Sequence, residues 1–85
     1  MTYAVDVHAT VQRLLIELFE LAPTEVVPAA RLKEELDLDS LDGVNLVVAL
    51  EKRFALLLEE ETMKKLRTVG EIQDYVAASL ASQAS

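Results

Sequence analysis

No cysteine occurs in the chain, which excludes a disulfide framework, a thiolate metal site and a thiol nucleophile, so any thiol chemistry has to arrive on an added group. Glycine and proline occur only twice each, too few turn-formers for a many-stranded sheet. The single histidine, His8, is too little for a metal site and reads as a surface or boundary residue. The acids of Asp37-Leu38-Asp39 do not make a calcium loop, lacking the glycine and the late bidentate glutamate that such a loop needs. No basic stretch opens the N-terminus, and the apolar run from Leu14 is interrupted by Glu17 and Glu20, so neither export nor membrane insertion is expected and a cytoplasmic protein is. Neither a catalytic residue nor a metal ligand is assigned.

What remains is apolar and acidic. At 85 residues and 52% hydrophobic, the chain is one small domain, 1–85, able to bury a modest core but not to build a deep catalytic cleft, a size that suits a carrier or binding module. The net charge of −7 is unevenly placed: Glu34 to Glu61 holds nine acids against two bases, Lys52 and Arg53, and the remainder is balanced. Such a field steers basic protein surfaces in and keeps nucleic acid away.

Periodicity predicts four helices. Val7, Val11, Leu14 and Leu18, widened by Leu15 and Phe19, give a helix over about Asp6 to Leu21 with Asp6 as its N-cap. Pro23 and Pro28 enclose a long connection in which Val26 and Leu32 pin the chain to the core and Ala29 to Leu36 holds a short helical turn. The second helix begins at Asp39 or Ser40 and runs to about Phe54, with Asp39 accepting from free N–H groups and Asp42 adding favourable charge. A short third helix has the acids of Glu59-Glu60-Glu61 at its start and Lys64-Lys65 at its end, and the fourth opens on the Thr68–Glu71 capping box and loosens from Ala81 to Ser85, as residues 1–4 do at the other end. The fold expected is all-α, a small four-helix bundle with one long connection between the first two main helices.

The second helix carries two apolar stripes. At about 100° per residue, Leu46, Val47, Leu50 and Phe54 fall on one side and Leu41, Val44 and Val48 on the other, flanked by Asp42 and Glu51. Either the helix is buried all round or the second stripe meets a partner, and so small a domain favours the partner. Ser40, between Asp39 and Leu41 at the head of this helix, is an exposed handle for covalent attachment. As an enzymatic nucleophile it lacks a nearby base, since His8 lies on the first helix.

Three stretches resemble the acyl carrier proteins: Leu36-x-x-Asp39-Ser40-Leu41-Asp42, then Val44-x-Leu46-Val47-x-Ala49-Leu50-Glu51-x-x-Phe54, then Thr68-Val69-Gly70-Glu71-Ile72-x-Asp74-Tyr75-Val76, with Val11, Leu14, Leu15, Phe19 and Val26 matching before them. The resemblance implies 4′-phosphopantetheine on Ser40, seated between Asp39 and Leu41, supplied from coenzyme A by a phosphopantetheinyl transferase, with acyl groups held as thioesters. It further implies a monomeric, non-catalytic carrier serving acyl-processing enzymes with basic docking surfaces, in fatty-acid, polyketide or another specialised acyl pathway. Leu41, Val44 and Val48 would be the apolar contacts, and Asp39, Asp42 and Glu51 the acids facing basic partner residues. Asp37 stands where the family usually has glycine, Asn45, Lys52 and Arg53 where it usually has acids, and Gly43 weakens the first turns of the helix. The other readings of the same residues are an unmodified acidic helical adaptor that binds a basic partner through its second helix, and a peptidyl carrier.

Overall fold

The computed structural model describes residues 3–84, with side chains for 7–83. Four helices follow one another, α1 (Tyr3–Phe19), α2 (Ser40–Phe54), α3 (Glu60–Lys65) and α4 (Val69–Ala84), with no strand among the described residues. This is the small all-α bundle that the periodicity predicts. The core is one apolar cluster in which Val11, Leu15, Val26, Leu50, Val69 and Val76 are sealed from solvent. Burying each of the leucines is worth about 1.5–3 kcal/mol.

α1 differs from its expected bounds at both ends. It already runs through Asp6 from Tyr3, so Asp6 is inside the helix and not its N-cap; the apolar pattern begins at Val7, but helical backbone does not need an apolar residue to extend before it. At the other end Glu20 takes a left-handed conformation (φ 53°) and the Leu21 N–H bonds the Ile16 carbonyl at 3.0 Å, closing the helix before Pro23 is reached. α2 closes the same way, with Ala55 left-handed and the Leu56 N–H on the Glu51 carbonyl. The buried face of α1 is the column Val7, Val11 and Leu15, while Leu18 in the last turn stays exposed.

The long connection is sewn to the bundle rather than looped out. Val26 and Ala30 are buried and Leu32 packs against the core, and Gln12 Nε2 donates to the Val26 carbonyl at 2.8 Å. The short turn expected after Pro28 is present: the Arg31 carbonyl accepts from both Glu35 and Leu36. Leu32 N–H then bonds the Arg67 carbonyl at 2.8 Å, and the first two donors of α4, Val69 and Gly70, bond the Ala30 and Pro28 carbonyls at 3.0 and 2.9 Å. Helix starts leave their leading N–H groups without intrahelical partners, and here the connection supplies them. Thr68 and Glu71 complete the start as the expected capping box, with Glu71 N–H on Thr68 Oγ1 and Thr68 N–H on Glu71 Oε1.

The α2–α3 loop is held by side chains from elsewhere. Tyr75 Oη accepts from the Glu59 N–H at 3.0 Å, while Gln83 accepts from the Leu57 N–H and donates to the Leu57 carbonyl. This clasp lies in the stretch expected to loosen, where α4 runs through Ala84; Met1, Thr2 and Ser85 of the expected loose ends lie outside the described residues.

The two glycines stand in opposite settings. A Cβ on Gly70 would lie 3.1 Å from the Pro28 carbonyl oxygen, against the connection's backbone, whereas one on Gly43 would meet nothing within 4 Å. Gly43→Ala is therefore expected to stabilise the protein by about 0.5–1 kcal/mol, and Gly70→Ala to lose that gain to crowding. Urea unfolding of the pair checks this, and equal gains at the two sites would contradict it.

Candidate functional site

The head of α2 is set by two carboxylates. Asp39 is the N-cap, in extended backbone, and its Oδ1 accepts from the Asp42 N–H at 3.0 Å, while its own N–H donates to Asp42 Oδ2 at 3.0 Å. A serine at a helix start commonly spends its oxygen on this bond. Because Asp39 makes it, Ser40 becomes the first residue of the helix, exposed, and among the described residues nothing hydrogen-bonds its hydroxyl. Asp37, just upstream, is left-handed (φ 57°), which explains why glycine suits that position; aspartate is among the few residues that tolerate it.

Beside Ser40 lies a groove of about 500 Å³ between α2, α3 and the connection. Leu38, Leu46, Val47, Met63, Leu66 and Ile72 line it, together with Asp39, Ser40, Asp42 and Gly43 at the helix head. The open space at Gly43 adjoins the serine along this groove. Lys33, Lys64 and Arg67 also line it, alongside Glu34 and Glu60, and nothing in the local sequence pattern marks these residues as neighbours of Ser40.

α2 buries the stripe Leu46, Val47 and Leu50 and leaves the other one bare, with Leu41 67%, Val44 40% and Val48 44% exposed. The two-stripe reading thus resolves toward an open face. Of its expected acids, Asp39 and Asp42 sit together at the head. Glu51 does not stand free: it is half-buried, and its Oε2 accepts from the Leu58 N–H at 2.9 Å, tying the α2–α3 loop to α2.

Other chemistry has little to build on. His8 Nε2 lies 3.4 Å from Asp74 Oδ1 on the α1–α4 side and does not line the groove. The described residues contain no metal-holding group of histidine or acidic side chains, and none of their helices is long and apolar enough to cross a membrane.

The profile of a known family, described as phosphopantetheine attachment site, matches residues 9–76. The chain belongs to this family. The matched stretch spans α2, α3, most of α1 and half of α4, the elements that frame the free hydroxyl and its groove. Domains of this family are where 4′-phosphopantetheine is covalently attached, and this chain is such a carrier domain. Its residues fit the group: an exposed hydroxyl without an internal partner, a helix N-terminus that favours phosphate charge, and an apolar groove alongside.

The caps are charge-dependent. The Asp42 N–H, ahead of all other causes, holds the Asp39 carboxyl below its ordinary value, and the Arg67 N–H, then that of Thr68, does the same for Glu71. A carboxyl whose folded pKa is depressed binds its proton more readily when unfolded, so its stabilisation is complete above the unfolded value and is lost as pH falls through the folded one. Acid unfolding is expected to steepen below about pH 4, and the Asp39→Asn/Glu71→Gln variant to flatten that slope in urea titrations between pH 6 and pH 3. An unchanged slope would show that other carboxyls govern it.

Proposed function

We propose that Ser40 bears the 4′-phosphopantetheine and that the protein carries acyl intermediates on it between the enzymes of a fatty-acid, polyketide or other specialised acyl pathway. The observation that carries this reading is the free hydroxyl at the first position of α2, released from capping by Asp39 and set beside an apolar groove. Ser40 supplies the oxygen that is esterified, and Asp39 and Leu41 flank it. Among the described residues nothing hydrogen-bonds that oxygen to take its proton, so the phosphopantetheinyl transferase has to provide the base. The attached group brings the thiol that the sequence lacks, on which acyl groups form thioesters. The protein itself is a non-catalytic, monomeric, cytoplasmic carrier.

Docking falls to the open face of α2. Leu41, Val44 and Val48 bury apolar area against a partner, and Asp39 and Asp42 attract its basic residues, the charges setting encounter and orientation and the apolar contacts setting residence. Glu51 joins this surface only where a partner draws it from Leu58.

Incubation with coenzyme A and a promiscuous phosphopantetheinyl transferase is expected to add one phosphopantetheinyl group by intact mass, and none to Ser40→Ala. An unmodified wild type would favour the adaptor reading, and modification that survives the substitution would move the site elsewhere.

The groove gives a second expectation. An acyl chain on the loaded protein enters between Leu46, Val47, Met63 and Ile72, each methylene buried there adding about 0.8 kcal/mol. The melting temperature should climb with chain length, and the amide resonances of those residues should shift. A flat series with unshifted core amides would leave the chain in solvent.

A further inference from the structure

The exposed face of α2 changes sign along its length. Leu41, Asn45, Val48 and Lys52 follow at four-, three- and four-residue steps, one column on a helix, and all four are exposed. Asp39 and Asp42 stand at its head. At its foot Lys52 and Arg53 are exposed, and among the described residues neither makes an ion pair; Arg53 stands 5.9 Å from the centre of the Phe54 ring. Glu51, the one acid in that half of the helix, is held by the Leu58 N–H. The apolar strip is therefore bounded by anions at the Ser40 end and by cations at the other, with a neutral amide between.

Resting on the carrier reading, we propose that this face is a polarised docking surface whose cognate partner enzyme is polarised in the opposite sense. That partner presents lysine or arginine beside the serine and carboxylates about 15 Å further along, the rise of ten helical residues between Asp42 and Lys52. Like charges set opposite one another reject wrong partners and fix register. A uniformly basic docking patch meets attraction at the head of α2 and repulsion at the foot. Lys52 and Arg53 also suit the C-terminal end of the helix dipole, but that role is satisfied by bases on any side of the last turn, whereas Lys52 stands in the column of Leu41 and Val48.

The test uses the full chain loaded at Ser40, with a purified acyl transferase whose carrier-docking patch is lysine and arginine throughout as the probe. Lys52→Glu/Arg53→Glu is expected to raise kcat/KM for acyl transfer roughly three- to tenfold, an advantage that shrinks in high salt. Lys52→Gln/Arg53→Gln, which disturbs the helix end less, should give a smaller rise in the same direction. Reversing the transferase base that meets the foot of α2 should invert the preference in favour of the wild-type carrier. An unchanged or lower kcat/KM in both carrier variants would overturn the proposal. Loading by the phosphopantetheinyl transferase is followed in the same samples: a wild type that loads, with variants indistinguishable from it, sinks the polarity alone, whereas a wild type that never loads at Ser40 sinks the carrier reading and the polarity with it.

Discussion

The reciprocal hydrogen bonds between Asp39 and Asp42 are the constraint on which the site depends. Serine and aspartate are comparable N-caps, and whichever caps gives up its side-chain oxygen to the helix. With Asp39 in that place, α2 starts one residue earlier than it would under a cap by Ser40, and the Ser40 hydroxyl is left out of the hydrogen-bonding frame instead of being used in it. Both acids stand at the positive end of the helix, where negative charge and dipole agree. The arrangement yields a rigid helix start and a free nucleophilic oxygen in adjacent residues.

The placement of that helix start rests in turn on the connection that leads to it. Ala30, Pro28 and Leu32 bond the backbone at the α3–α4 junction, so the connection satisfies donors that α4 would otherwise expose. Gly70 permits the close approach because a side-chain carbon there would crowd the Pro28 oxygen. The chain then makes its left-handed step at Asp37 and delivers Asp39 in extended backbone to begin α2. A long connection without helix or strand is thus as constrained as the helices it joins.

Much of this was legible from residue pattern. The two stripes of α2, its start at Asp39 or Ser40, the Thr68–Glu71 capping box and the core roles of Val26, Leu46 and Leu50 follow from spacing and side-chain type, because helical period and capping are local properties. What spacing does not carry is what lies over a given face or who claims a polar side chain. Leu18 keeps the period of α1 yet stays exposed. Glu51 reads as a free surface acid until Leu58 is seen to take it, and spacing does not announce that Gln83 bonds Leu57. Each of these bonds joins residues that only the tertiary fold brings together. Asp37 shows the reverse case: its departure from the family's usual glycine was visible in the sequence, but its meaning, a left-handed backbone filled by a tolerated substitute, needed the dihedral angle.

The engagement of Glu51 bears on how a carrier of this shape is oriented. Exposed ion pairs contribute little individually, about 0.2–1 kcal/mol, so a few of them give a short-lived complex, as a shuttle that must leave its partner requires. Weak pairs still set direction when their signs differ along the contact. A strip of one sign is attracted to a basic patch nearly as well when shifted by a turn, which displaces Ser40 by about 5.4 Å. On the proposed docking, a strip that ends in Lys52 and Arg53 loses attraction at one end as soon as it shifts, and register is then held by the contrast between the two ends rather than by the strength of either. On that docking, the same contrast narrows the set of enzymes that such a face accepts.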